Sequence, residues 1–359
     1  MPEVLTAVIS DLHLGKRNGS DLLRRRGLRA ILLSTLERVD HLVLLGDTIE
    51  LRDAPLGDAL ESAAPFFEEL GEALAGRRVT VVPGNHDYQL GGPWLARRPA
   101  DRQLGLEELS AIRPGDPLHW LARRMPRTEL VLAYPGLWLR ESVYATHGHY
   151  LDCHARVLTF ECAARMVSET LVRTARAGYR APPDYEAVLS PLYRLLFALA
   201  QSASARGPMN AGKALVRRSE SAAGERGRKR GRTGIRAMAE VVERLDVDAR
   251  YVLFGHLHSP GPLPANAASW RTAAGTQLVN TGSWVYEPSY LGETPAESPD
   301  WPGTCVFVGN GDPPELRNLL RRSTHDVLRA GLARGPGLTS RIRTSTVPRR
   351  LRRHRGGDT

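Results

Sequence analysis

Seven side chains of the kinds that grip divalent cations stand in five short blocks, each directly after an apolar run. The blocks are Asp11-Leu12-His13 after TAVIS, Gly46-Asp47 after HLVLL, Gly84-Asn85-His86-Asp87 after VTVVP, His147-Gly148-His149 after VYAT, and Gly255-His256-Leu257-His258 after YVLF. Any single block is compatible with a capping or hydrogen-bonding role. Together, Asp11, His13, Asp47, Asn85, His147, His256 and His258 supply enough carboxylate, amide and imidazole donors for two cations. Two divalent cations side by side are a general device for phosphoester cleavage, because they activate water and neutralise charge on the phosphoryl oxygens. An anionic oxygen should bridge them to offset their repulsion. Asp47 suits that place, since Gly46 lets the backbone pass close. Asp11 and His13 are two residues apart, as are His256 and His258, so an extended or tightly turned segment points each pair to one side. No cysteine stands in the blocks, which disfavours soft metals. The donor set suits manganese, our first expectation, with iron or zinc as alternatives.

His86 is left over from this ligand set. It is suited to act as a cation or general acid beside a leaving oxygen, with Asp87 orienting its imidazole. Asn85 and His86 then also face the substrate. Helix capping is the other reading of Asp87. Glu50, three residues after Asp47, reads as support behind a ligand. His149 and Asp152 either extend the site or begin the helical segment that follows. Trp284 lines the cleft or belongs to the core.

The blocks need strands that end at one edge. Residues 3–10, 41–45 and 78–82 read as buried strands, and helices are expected between them, the second over about 57–75. This alternation implies a largely parallel sheet covered by helices, an α/β fold with functional residues at the carboxyl ends of strands. Short strands are expected at 130–134, 137–139 and 142–146, and a short helix around 107–111. Residues 151–246 are Ala-, Arg- and Leu-rich with a helical pattern, and read as an inserted helical cap. Strands resume at 250–254, 277–280 and 304–308. Residues 1–330 thus form the main domain, and the Gly-, Pro- and Arg-rich stretch 331–359 is expected to be a disordered basic tail.

The chain has 359 residues, 42% hydrophobic and 25% charged, an ordinary globular balance with a net charge of +10. Basic clusters run from Arg217 to Arg236 and from Arg341 to Arg355. They would attract phosphate-bearing partners: a phosphorylated substrate, nucleic acid or an anionic membrane surface. No apolar run is long enough to span a bilayer. MPEVLTAVISDLHLG has no basic leader, and three cysteines, Cys153, Cys162 and Cys305, form no ligand spacing. A cytoplasmic enzyme is expected, with peripheral contact at the inner face of the membrane as an option.

The order Asp-x-His, Gly-Asp, Gly-Asn-His-Asp, His-Gly and Gly-His-x-His resembles the calcineurin-like metallophosphoesterase superfamily. The resemblance implies a four-layer αββα sandwich. It also implies one cation on Asp11, His13, Asp47 and His258, and another on Asp47, Asn85, His147 and His256, with hydroxide between them attacking phosphorus. ISDLHLG, LLGDTIEL, PGNHDYQL and the helical insertion are similar to the UDP-2,3-diacylglucosamine diphosphatase branch. That branch implies a lid sheltering acyl chains and a lipid-linked diphosphate as substrate. Leu192, Leu195, Leu196, Phe197 and Leu199 could form an apolar groove, or pack the cap on the core. Arg217, Arg218, Asn210 and Lys213 could hold a diphosphate. The chain departs from the branch where Tyr88 replaces an arginine, where His149 replaces an aspartate, and at Leu257 and Ser259. A phosphodiester or phosphoanhydride is therefore the expected substrate, linked to a lipid or a nucleotide sugar. A nuclease of the same superfamily and a non-enzymatic scaffold are the alternatives.

Overall fold

A computed structural model describes residues 4–155, 178–205 and 223–332, apart from 54, 100, 289, 290, 292–297, 312 and 331. Asn210, Lys213, Arg217 and Arg218, Cys162 and the basic tail from 333 onward lie outside the described residues.

Among the described residues ten strands form the frame: β1 Thr6–Ile9, β2 His41–Leu45, β3 Arg78–Val82, β4 Glu107–Ala111, β5 Glu129–Arg140, β6 Val143–Thr146, β7 Tyr251–Phe254, β8 Gln277–Asn280, β9 Thr304–Val308 and β10 Glu315–Asn318. The described helices are α1 Arg26–Leu36, α2 Leu56–Ala73, α3 Gly92–Ala96, α4 Pro117–Arg124, α5 Pro182–Ala205, α6 Ala223–Arg244 and α7 His325–Arg329. The strands make one hydrogen-bonded sheet in the order β10-β9-β1-β2-β3-β5-β6-β7-β8, with β4 paired to β5.

This sheet is folded over on itself about β5. Leu132 of β5 pairs in parallel with Val81 at the end of β3, and only four residues later Gly136 pairs antiparallel with Thr146 at the end of β6. The carboxyl ends of β3 and β6 are thereby brought to one edge. The packing follows. Val8, Val43, Leu45 and Val82 share one buried cluster with Ala145, Leu253 and Val279, so the two halves of the sheet face each other. The alternate residues Ala7, Ile9, Leu42, Leu44, Val79 and Val81 point outward onto Leu28 and Leu32 of α1 and Phe66, Phe67 and Leu70 of α2. On the other outer face, Val252, Phe254 and Leu278 pack against Ile235, Met238, Val241 and Val242 of α6. The layers therefore run helix, sheet, sheet, helix, and the chain has the α/β architecture its blocks imply. The carboxyl-terminal part of α6 forms the outer covering layer of the second half-sheet.

Two local expectations are corrected. Residues 107–111 are not helical. They form β4, which pairs antiparallel with β5 from Glu108↔Tyr134 to Ala111↔Val131. Five residues are too few for helix periodicity to assert itself, and ladder pairing decides. The segments 130–134 and 137–139 are one strand, because backbone pairing continues through Pro135-Gly136, which reads as a break in sequence.

α5 crosses the edge where the blocks meet. Tyr193 and Leu189 pack in the cluster over β5–β8, with Leu192 against it. Phe197 packs against the cluster over β1–β3. Leu196 is buried, while Leu195 and Leu199 are exposed, so the five expected groove residues divide between core and solvent.

Candidate metal centre

All five blocks lie in the turns that leave β1, β2, β3, β6 and β7. Those turns are unusually strained. Among the described residues, six non-glycine residues have positive φ, and five of them are Asp11, His13, Asp47, His256 and His258. The left-handed conformation costs on the order of 1 kcal/mol for each such residue. That cost is spread over the residues with candidate ligand side chains, which the surrounding bonds must hold in place.

Those bonds are present. Asp11 O accepts from the backbone N–H of Trp284 at 3.0 Å, and the N–H of His13 donates to Asp47 O at 2.8 Å. Asp11 Oδ2 accepts from the N–H of His256 at 3.0 Å, tying the first and fifth blocks together. Asp47 Oδ1 accepts from the N–H of His86 at 2.8 Å, tying the second to the third. Gly46, at φ +85°, must be glycine, since a Cβ there would stand 2.2 Å from His147 Nδ1.

Three histidines have one ring nitrogen fixed as a donor to a group that can only accept. His13 Nδ1 donates to Glu50 Oε2 at 2.9 Å, His147 Nδ1 to the Leu45 carbonyl at 3.0 Å, and His256 Nε2 to Asp152 Oδ1 at 3.1 Å. The opposite nitrogen of each is the one that can offer a lone pair to a cation, and these three nitrogens converge. His13 Nε2 lies 3.2 Å from His258 Nε2, which is 3.2 Å from Asp11 Oδ1. His147 Nε2 lies 3.1 Å from Asn85 Oδ1 and 3.4 Å from Asp47 Oδ2, and His256 Nδ1 lies 3.0 Å from Asn85 Oδ1. Asp47 Oδ2 is also 3.7 Å from His13 Nε2, so its carboxylate stands between the two groups. Acceptors facing acceptors at such distances call for protons or cations between them. The donor set of imidazole, carboxylate and amide oxygen fits divalent cations of the manganese–zinc range. Asp11, His13 and His258 could hold one, and Asp47, His147 and His256, with Asn85, another.

The charges around the centre point the same way. Burial disfavours the charged form of His147, yet Asp47, Asp11 and the Leu45 carbonyl outweigh it and carry the imidazole up to about 10. Burial would raise Asp47, but His147, His86 and His13 hold it well below the usual carboxylate range. His13 goes the other way: burial, opposed by Glu50, lowers it to about 4. A centre that draws a proton onto one buried imidazole and keeps its carboxylate ionised is one that a cation would neutralise.

His86 and Asp87 part company. Glu50 accepts from His86 Nδ1 at 2.9 Å on either oxygen, so Glu50 and not Asp87 orients this imidazole. The Asp87 carboxylate instead accepts the backbone N–H groups of Gly84 at 2.7 Å, Thr48 at 2.7 Å, Asp47 at 3.2 Å and Ile49 at 3.4 Å. It clamps the second block to the third. Burial and the neighbouring Asp47 push its carboxyl up to about 6 against the pull of those amides. The side chains of His86 and His258 are 28% and 22% exposed, whereas Asp11, Asp47 and His147 are at most 2%, so the centre opens on the His86–His258 side. Trp284 is a core residue, fully buried with Nε1 donating to the Thr304 carbonyl at 3.0 Å. His149 is buried against the rings of Tyr134, Tyr150 and Tyr193.

Residues outside the five blocks also lie near the centre. Arg52 donates to the Asn85 carbonyl at 2.5 Å and lies 5.2 Å over the Tyr193 ring of α5. Lys16 pairs with Glu287 at 2.7 Å. Arg52, five residues after Asp47, was visible as a cation near a ligand; Glu287 carried no local signal.

Comparison with known proteins gives three findings. A family model described as calcineurin-like phosphoesterase matches residues 5–260. No curated protein matches the chain. Among solved structures, a dimetal phosphatase from Danio rerio is similar over 88% of this chain and 99% of its own, at 15% identity and a TM-score of 0.34.

Proposed function

The chain belongs to the calcineurin-like phosphoesterase family and is a metal-dependent phosphoester hydrolase, and from that premise we propose that it cleaves a phosphodiester or phosphoanhydride at a two-cation centre. The substrate class we favour is a diphosphate linked to a lipid or a nucleotide sugar. In this reading Asp11, His13, Asp47 and His258 hold one cation, and Asp47, Asn85, His147 and His256 the other. Bound there, the pair supplies Lewis acidity toward water and the phosphoryl oxygens, manganese being the ion we favour.

The protein's own groups do the rest. Asp47 offsets the repulsion between the two charges, and Asn85 contributes a neutral oxygen that keeps the total ligand charge low. Glu50 fixes His86 through Nδ1, which leaves Nε2 to meet the leaving oxygen. Burial opposes the charged form of His86, but Glu50 and Asp47 outweigh it and raise its pKa, so the imidazole has a proton to give. Asp87 acts by holding the second and third blocks in register.

One observation carries this reading: three imidazoles, each with one nitrogen committed as donor, aim their lone pairs at two acceptor clusters joined by Asp47. The scaffold alternative has no comparable observation behind it. Among the described residues, no helix is long and apolar enough to cross a membrane. Cys305 is buried and free, which suits the reducing cytoplasm we propose, with substrate taken from the inner face of the membrane.

The test is hydrolysis of a chromogenic phosphodiester by chelated protein, before and after adding Mn, Fe(II) or Zn. Restored activity is expected, and a rate indifferent to chelation contradicts the reading. A panel of nucleotide-sugar diphosphates, lipid diphosphates and single-stranded DNA then ranks the substrates. DNA cleavage that outruns both diphosphates would favour the nuclease.

A further inference from the structure

The groups that stand behind the two cation clusters come from different parts of the chain. Asp11, His13 and His258 are supported by Ser10, through the Asp11 carboxylate, and by Glu50, through His13. Asn85, His147 and His256 have a support of another kind, which starts on α5.

Glu186 of α5 collects hydroxyl groups. Its Oε1 accepts from Tyr134 at 2.5 Å and Tyr150 at 2.7 Å, and its Oε2 from Ser190 at 2.5 Å and Tyr88 at 3.2 Å. Tyr88 stands three residues after Asn85, and Tyr150 three residues after His147. Tyr150 lies in the 3-10 turn His149–Cys153, which also carries Asp152, the partner of His256 Nε2 at 3.1 Å. One carboxylate thus grips the loops that present Asn85 and His147, the second of which also carries the Asp152 that holds His256. No contact of Glu186 leads to Asp11, His13 or His258 among its hydrogen bonds given above.

We propose that Glu186 is a positioning residue that latches α5 onto the Asn85, His147 and Asp152 loops and so sets the affinity of the second cation site without setting that of the first. The inference rests on the two-cation reading. Its physical basis is that a ligand's affinity depends on how firmly outer groups fix its orientation, and removing such a group typically weakens metal binding by about 10–100-fold. A carboxylate that accepts from several hydroxyls is a strong anchor of this type. Further contacts hold the same helix down: Arg52 over Tyr193 at 5.2 Å, and Gln201 Oε1 accepting from the N–H of Leu56 at 3.0 Å.

The test is calorimetric titration of Mn²⁺ into the metal-free full chain. Asn85→Ala and His258→Ala identify which binding step belongs to which cluster. In Glu186→Gln, the step lost in Asn85→Ala should weaken by about tenfold or more, while the step lost in His258→Ala stays unchanged. Thermal melts report whether the variant folds. If it does not, Tyr88→Phe and Tyr150→Phe each remove one hydroxyl and keep the ring, and each should weaken the same step alone. Equal weakening of both steps, or no weakening of either, overturns the latch. A wild-type chain that takes up two cations but leaves every phosphoester intact would refute the proposed activity and leave the latch standing. One that takes up fewer than two cations overturns both.

Discussion

Gly84 faces the Asp47 carboxylate with no room to spare: a Cβ on Gly84 would stand 2.3 Å from Oδ1 and 2.6 Å from the Asp47 backbone nitrogen. The bridging place of Asp47 between the two clusters therefore depends on a missing methyl group. Gly84→Ala should push the second and third blocks apart. Displacement of catalytic geometry by about 1 Å can cost on the order of 100-fold in rate. We expect a loss of that size together with reduced manganese content, read by phosphodiester hydrolysis and elemental analysis. An alanine variant with full metal content and near-normal rate would show that Asp47 is not held as tightly as described.

His86 and Asp47 should separate by what they lose. His86→Gln removes the proton donor and should lower kcat by roughly 10²–10⁴-fold while metal content stays at the wild-type level. Asp47→Ala should lose both activity and metal. Equal metal loss in the two variants would contradict the role assigned to His86.

Asp87 should behave as a structural clamp. In Asp87→Asn, one acceptor oxygen becomes an NH₂ that faces backbone N–H donors, and buried donors left unmatched cost about 1–3 kcal/mol each. A loss of roughly 2–4 kcal/mol in urea unfolding is expected, with His86→Gln close to wild type in the same assay. If the two variants unfold alike, the four amide contacts do not stabilise the fold.

The Lys16–Glu287 pair predicts a specific acid dependence. Burial would raise Glu287, but Lys16, helped by His258 and His13, lowers it from 4.5 to about 2. A depressed acid stabilises the fold above its unfolded pKa, and that contribution is lost as pH falls toward the folded value. The stability gap between wild type and Glu287→Gln should therefore be largest near neutrality, on the order of 2 kcal/mol. It should shrink between about pH 5 and pH 2. A gap that is flat across that range would mean that the pair contributes nothing through charge.

The legible part of this molecule was the part written locally. Each block follows its own strand, so apolar runs ending in Asp, Asn or His announced both the strand ends and the candidate ligands. Glu50 was legible for the same reason, being three residues from Asp47. What lay hidden depends on distant pairing. Whether 107–111 is helix or strand is decided by β5, whose paired residues lie twenty or more positions further along the chain. The unbroken course of β5 through Pro135-Gly136 is set by its partners on both sides. Asp87 looked like a companion of His86 because it is its neighbour in sequence, yet its carboxylate reaches the backbone of Thr48 and Ile49. Glu186, inside a long helical stretch with no motif around it, could be found only once the fold brought Tyr88, Tyr134 and Tyr150 to it.

The most direct measurement is anomalous diffraction from crystals of the full chain grown or soaked with Mn²⁺. Two peaks are expected, each at about 2.0–2.4 Å from its ligand atoms. One should touch Asp11, His13 and His258, the other Asn85, His147 and His256, with Asp47 in contact with both. A single peak, a peak seated on Glu50 and His86, or peaks away from these seven side chains would contradict the two-cation centre on which the proposed hydrolysis depends.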